Sequence, residues 1–395
     1  MPYSKFQPTY LFNGKEILAN DSVLITDKDG KVQTIINRED AGDDVQQLQG
    51  LLSPGFVNCH CHLELSHMRG MISEHTGLVD FILNILQLRN SNEDDILQAI
   101  ANAEAEMLRN GIVAVGDISN NILTLQQKLK GNLQYHNFIE LSGFSPAIAQ
   151  IRFNAGLAVY EVFKTCFPNA TSIVPHAPYS VSKELFALID NVATHPISSI
   201  HNQETVDENE FFLSGKGQFN KLYQSIGVDV SSFHQATKKS SLQSILPNLQ
   251  QPQKLLLVHD TFINQTDLDF INQNTALQQY FFCLCVNANS YIENQLPPIN
   301  LLRHNHCNIV IGTDSLASNK GLNVLSEIKT IIQNFPEIPM QELLTWATIN
   351  GATALQMDKF LGSFEPGKRP GMVLITDLGN DGSITINSNA KVISP

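Results

Sequence analysis

"LLSPGFVNCHCHLELSHMRG", residues 51–70, sets two imidazoles one residue apart, just past Pro54-Gly55 and an apolar run. On a β-strand, side chains at i and i+2 project to the same face. Alternation therefore puts Asn58, His60, His62 and Glu64 on one face, and Val57, Cys59, Cys61 and Leu63 on the other. Two imidazoles about 7 Å apart along a strand can converge on one metal ion where the strand end curves. Read alone, the pair is equally two polar side chains on a half-exposed strand.

Working outward, the middle of the chain alternates apolar strand candidates with helical stretches. Eight candidates stand out: "GFVNCHCH", "GIVAVGDIS", "LQYHNFIEL", "TSIVPH", "PISSIH", "KLLLVHD", "YFFCLCVNA" and "NIVIGTD". Helical segments such as "NEDDILQAIANAEAEMLRNG" and "SKELFALIDNVAT" lie between them; the first opens with an acidic turn and stops at Gly111, both ordinary helix punctuation. Eight β-α alternations predict an α/β fold, a (β/α)₈ barrel of the TIM type. The two ends read differently. "YLFNGKEI" and "DSVLITDKDGKVQTII", with its Asp-Gly hairpin signal, are short β segments. "FEPGKRPGMVLITDLGNDGSITINSNAKVIS" also alternates and is punctuated by Gly, Pro and Asn. Chain ends often lie together. The expected organisation is a small β-sandwich built from residues 1–52 and 355–395, around a barrel of residues 53–354.

Composition excludes several functions. The chain has 395 residues, 43% hydrophobic and 16% charged, enough for a large core and unlike a disordered chain. A net charge of −13 argues against a nucleic-acid or anionic-membrane partner. A small-molecule substrate, neutral or cationic, is compatible with it. No apolar run reaches the length of a membrane span. The first residues lack a basic segment followed by an apolar one, so no secretory signal is read. The six cysteines contain no C-x-x-C pair; most sit in apolar runs as buried thiols, and their usage fits a reducing cytoplasm.

Barrel chemistry sits at the C-terminal ends of the strands. There the sequence places His60 and His62 (first strand), His176 (fourth), His201 (fifth), His259 (sixth) and Asp314 (eighth). One strand-end histidine is ordinarily a structural residue, and Asp314 alone reads as a turn. Six metal-capable side chains on five strands share one explanation, a metal site at the barrel mouth.

In this order, "PGFVNCHCHLELSHMRG", "VPHAPYSVS", "IHNQET", "LVHDTF" and "GTDSLASN" resemble the amidohydrolase superfamily, most closely its aminohydrolase (deaminase) branch. "LGSFEPGKRPGMVLI" resembles part of that family's small β-sandwich. The resemblance covers nearly the whole chain and is far more specific for the superfamily than for a substrate. It implies His60, His62, His201 and Asp314 as metal ligands, with Asp314 also handling the proton of the attacking water. Glu204, three residues after His201, matches the acid/base glutamate of the deaminase H-x-x-E motif. His259 matches a histidine near that water. "FCLCVNANSYI" resembles a segment that often reads Cys-Pro followed by Asn; Val286 stands in place of the proline. Binuclear relatives carry a lysine at the end of the fourth strand, where this chain has His176. One divalent ion is therefore expected: zinc, with iron or manganese as alternatives. His176 reads as a substrate contact or as a structural histidine. Glu64 reads as a substrate contact or as a partner of Arg69; "HCHLELS" resembles the H-x-H-L-E-F-S pattern of aminodeoxyfutalosine deaminases.

The expected activity is hydrolytic release of ammonia from an aminated heteroaromatic ring, an adenine-nucleoside-like substrate of the aminodeoxyfutalosine or adenosylhomocysteine type. A carboxylate that only ligates metal would not need the second, non-ligating Glu204, which favours deamination over amide hydrolysis. The competing readings are hydrolysis of a cyclic amide or chloro-substituted ring, and an inactive binding or scaffold member. "GLVDFILNIL" reads as a lid or a contact, and the resemblance suggests a homodimer.

Overall fold

The structure is a computed structural model that describes residues 3–192, 197–249, 254–274 and 279–394. Ala193 and Thr194 of the predicted helix "SKELFALIDNVAT" and Pro196 of "PISSIH" lie outside these residues. The chain opens with β1 (Tyr3–Phe12), β2 (Ile17–Leu18), β3 (Ser22–Asp27), β4 (Val32–Asn37) and β5 (Gln46–Pro54). The Asp29-Gly30 turn joins β3 to β4 as read, with Gly30 at φ 77°.

Eight barrel strands come next: β6 (Phe56–Cys61), β7 (Ile112–Ser119), β8 (Gln134–Leu141), β9 (Thr171–Pro175), β10 (Ile197–Asn202), β11 (Lys254–His259), β12 (Tyr280–Leu284) and β13 (Asn308–Ile311). All eight candidates from the sequence are strands. "YFFCLCVNA" runs past its strand, because Val286 begins a helix (Val286–Glu293). The strands pair in parallel as two four-stranded runs, β6-β7-β8-β9 and β10-β11-β12-β13. Two joints link the runs. His201 N–H donates to His176 O at 2.9 Å, between β9 and β10. Thr313 and Asp314 N–H both reach His60 O, at 3.0 and 3.1 Å, between β13 and β6. These bonds complete the ring of a (β/α)₈ barrel.

Side chains from all eight strands form one inner apolar cluster, among them Val57, Ala114, Phe138, Val174, Ile197, Leu256, Phe281 and Val310. The opposite strand faces pack on the helices in a larger outer cluster. The Glu93–Arg109 helix is read correctly from the sequence; its Asn92 side chain accepts from Asp94 N, an N-cap.

The strict alternation expected for residues 57–64 does not hold. Cys59 belongs to the inner cluster and Cys61 to the outer one. The β6–β7 register shifts between Asn58↔Val115 and Cys61↔Asp117, so β6 carries one extra residue there. Such a bulge flips the facing of the residues beyond it. This is why His60 and His62 point over the inner core.

The last strands are β14 (Met372–Thr376) and β15 (Asn389–Val392). "SITI" in the C-terminal stretch is not strand. Terminal strands hydrogen-bond as one sheet in the order β15-β14-β5-β1-β3-β4, with β2 on β1. Phe6, Leu24, Val32, Leu52 and Leu374 give it a small core of its own. No helix among the described residues is long and apolar enough to cross a membrane.

Candidate active site

At the C-terminal ends of the barrel strands, His62 Nε2 lies 3.1 Å from His60 Nε2 and 3.2 Å from His201 Nε2. Asp314 Oδ1 lies 3.4 Å from Nε2 of both His60 and His62. The four ligand atoms all fall within 4.8 Å of one another. Ligands about 2.0–2.1 Å from a tetrahedral centre stand roughly 3.4 Å apart, so the spacing fits a single divalent cation. Mutual hydrogen bonding is a poorer account: three converging ring nitrogens cannot each find a proton between them. Burial, reinforced by neighbouring histidines against the pull of Asp314, depresses His62 to about 3. Burial and the same neighbours put His201 well below its ordinary value. Both imidazoles are thus neutral near pH 7, with lone pairs to offer. Burial works to raise Asp314, but its hydrogen bond to His60 and the adjacent histidines hold it well below the usual carboxylate range.

The ligand atoms are aimed by their neighbours. His201 Nδ1–H donates to His176 O at 2.8 Å, which leaves Nε2 as the free lone pair. Ser318 Oγ–H donates to Asp314 Oδ2, turning Oδ1 towards the histidines. Asp314 and His259 adopt left-handed backbone, at φ 56° and 78°. Each such residue costs of order 1–3 kcal/mol, and both lie where the chain leaves a barrel strand.

Glu204 and His259 stand beside the quartet, with Glu204 Oε1 3.5 Å from His259 Nε2. Burial raises Glu204 well above the ordinary carboxyl value, and the negative charge of Asp314 adds to it. That shift favours the protonated form of the carboxyl, which suits Glu204 to the role of proton donor. His259 Nδ1–H donates to Asn289 Oδ1 at 2.7 Å, and Asn289 Nδ2–H donates back to His259 O at 3.3 Å. His259 Nε2 is left as an acceptor. Val286 occupies the first position of the helix carrying Asn289, a position that suits proline, so its departure from the family pattern leaves the local geometry intact.

His62, His201, Asp314, Glu204 and His259 all line one cavity of about 490 Å³. Glu64 lines it, as the alternation suggested, although it sits in a 3₁₀ turn (Leu63–Met68) rather than on a strand. Glu64 Oε2 accepts from Asn120 N at 3.0 Å. Arg69 instead pairs with Glu106, so the Glu64–Arg69 alternative is not realised. His176 also lines the cavity, with Nδ1 2.6 Å from Ser180 Oγ. The Leu78–Leu88 helix contributes Phe81, Ile82 and Ile85 to the wall, and Arg89 and Arg152 bring positive charge to an otherwise apolar region.

Sequence reasoning missed Glu140. It lies near the end of "LQYHNFIEL", so the strand-end rule applied to the third barrel strand would have found it. Its Oε2 accepts from Asn120 Nδ2 at 3.2 Å, and burial lifts its carboxyl to about 7. Glu140, His176 and His201 also cluster at ligating distance. His201 Nδ1 is already spent as a donor to His176 O, so this trio is a poor second metal site, in line with the single ion expected. Asn289 and Ser318 were missed too, since nothing in a lone Asn or Ser distinguishes them.

A buried His₃Asp quartet at the mouth of a (β/α)₈ barrel, flanked by a buried carboxyl, defines a metal-dependent hydrolase. The amidohydrolase family model matches residues 51–393, and the chain belongs to that family. An adenosine deaminase of Helicobacter pylori is 24% identical over 326 residues, covering 81% of this chain and 77% of its own. An aminodeoxyfutalosine deaminase of Nitratiruptor is 24% identical over 389 residues, 95% of this chain and 90% of its own. The crystal structure of Helicobacter pylori aminofutalosine deaminase with methylthio-coformycin superposes with a TM-score of 0.79 at 23% identity, covering 97% of this chain and 93% of that one.

Proposed function

We propose that the protein is a hydrolytic deaminase that releases ammonia from an adenine-nucleoside-like substrate. One observation carries this reading: Glu204, a buried carboxyl outside the ligand quartet, faces the same cavity as the ligands, 3.5 Å from His259. The deaminases among its relatives support it.

His60, His62, His201 and Asp314 would hold one divalent ion, zinc being the best fit to three imidazoles and a carboxylate. Such an ion supplies an activated water near neutral pH. Glu204 donates its proton to the ring nitrogen beside the amino-bearing carbon, which makes that carbon electrophilic. Asp314 accepts a proton from the attacking water, and His259 Nε2 holds that water by accepting a hydrogen bond. Protonation of the amino group then lets it leave as ammonia, and the ring carbon becomes a carbonyl. Glu64 and His176 are the proposed substrate contacts. Arg89 and Arg152 suit a substrate that carries a carboxylate on its distal half, as both adenosylhomocysteine and aminodeoxyfutalosine do.

The reading extends to a cytoplasmic homodimer. Six unpaired thiols support the compartment. Met71, Leu86 and Leu88, all exposed, supply apolar surface for a partner copy, and sedimentation analysis decides the oligomeric state. The proposed domain division stays at residues 1–52 with 355–395, and 53–354.

The deciding experiment measures ammonia release by zinc-loaded protein from adenosine, adenosylhomocysteine, methylthioadenosine and aminodeoxyfutalosine. Rapid release from one of them is expected. Silence on all four, with metal bound, would sink the proposal and favour a cyclic amide or chloro-substituted ring.

A further inference from the structure

Next to the ligand quartet lies a buried charge pair that this chemistry does not use. Lys128 and Asp117 are both enclosed, and Lys128 Nζ stands 2.6 Å from Asp117 Oδ2. The ammonium also donates to Ser119 Oγ at 3.0 Å and to Asn137 Oδ1 at 2.9 Å. Two of its donors are thereby satisfied, and Asp117 Oδ2 faces the ammonium as its counter-charge. The other carboxylate oxygen, Asp117 Oδ1, accepts the backbone N–H of Leu63 at 2.8 Å. Leu63 is the residue immediately after His62.

The position of this bond in the sheet explains it. The β6–β7 ladder slips after Asn58↔Val115 and ends at Cys61↔Asp117. Beyond Cys61 the chain turns away, and the Leu63 N–H has no strand partner. Asp117, on the last stretch of β7, supplies the missing acceptor with its side chain. A carboxylate accepts more strongly than a neutral group, but an enclosed carboxylate needs a counter-charge, and Lys128 is that charge. Buried pairs of this kind add little to stability compared with apolar packing, so a role in geometry accounts for it better than one in stability.

We propose that Asp117, held by Lys128, is a positioning residue for His62: it pins the chain just past that imidazole and so sets the affinity of the metal site. The inference rests on the metal reading above.

The test is zinc affinity of the metal-stripped full-length protein by chelator competition, beside thermal unfolding of the same stripped protein. Asp117→Ala is expected to weaken zinc binding about 10–100-fold, the usual cost of losing an outer partner of a metal ligand. The double variant Asp117→Asn with Lys128→Met keeps an acceptor oxygen for Leu63 and removes both charges together. It is expected to bind zinc within about threefold of wild type, because the Leu63 N–H keeps its acceptor and no unpaired charge is left buried. Leu268→Ala, in the outer core, serves as a destabilised control. Three results would overturn the proposal: unchanged affinity in Asp117→Ala, a double variant as weak as Asp117→Ala, or an equal loss in Leu268→Ala. A wild-type protein that binds no zinc would instead overturn the metal reading itself, and this inference with it.

Discussion

Asn289 Oδ1 accepts the Nδ1–H of His259 at 2.7 Å while its amide donates to the carbonyl of the same histidine. One side chain thus fixes both the ring tautomer and the strained backbone of His259. Asn289→Ala frees the ring to turn and to swap its proton. We expect kcat to fall about tenfold or more, in the range seen for lost orienting partners, with KM nearly unchanged. Steady-state kinetics read the split; a change confined to KM would contradict the orienting role.

Glu204→Gln keeps the shape of the side chain and removes its transferable proton. General acid–base help is typically worth about 10²–10⁴-fold, and a loss of that size is expected in ammonia release. Zinc content, measured by elemental analysis, should stay at the wild-type level because Glu204 is outside the ligand quartet. Retained activity would point to plain amide hydrolysis.

A methyl group at Gly312 would stand 2.8 Å from Cys285 Sγ, 2.9 Å from Cys283 Sγ and 2.9 Å from His60 Cβ. The two sulfurs end short, fully buried side chains and the third atom is fixed to the His60 backbone, so little room is left to give way. Gly312→Ala is expected to destabilise the fold by about 1–3 kcal/mol, as overpacking does. It should also weaken zinc binding, since His60 must move. Denaturant titration and chelator competition measure the two effects separately.

Burial raises Asp260 to about 8, against the hydrogen bond from Asn202 that favours its charged form. Between its ordinary value of 3.8 and about 8, the folded chain holds a proton that the unfolded chain has released. Stability from this group therefore falls as pH rises through that window, by at most about 1.4 kcal/mol per pH unit. Asp260→Asn imitates the protonated form at every pH. Its thermal stability relative to wild type should rise from pH 5 to pH 8; a constant difference would mean Asp260 does not titrate there.

The barrel was legible because each strand candidate is an apolar run of ordinary length bounded by turn residues, and a period-2 pattern survives translation into structure. The ligands were legible because strand ends are where a barrel concentrates chemistry, and histidine is rare enough there to notice. What escaped was set by other elements. The extra residue in β6 is defined only by its pairing with β7, so strict alternation misassigned Cys61. Asn289, Ser318 and Asp117 act through partners 30, 4 and 54 positions away, and nothing local marks them. Glu140 sits near a strand end as the histidines do, but a lone glutamate there is common on solvated surfaces and carries a weaker signal.

The seam between β13 and β6, where Thr313 and Asp314 bond to His60 O, has a bearing on how the chain matures. Asn58 and Thr313, 255 positions apart, meet along it. During synthesis the two imidazoles of the first barrel strand leave the ribosome long before the aspartate of the last. A nascent chain therefore holds only part of its ligand set until the cylinder shuts, and contacts so distant in sequence form slowly. Cation capture then reports completed closure, and a chain stopped short of Asp314 would present bare imidazoles without the carboxylate that finishes the site.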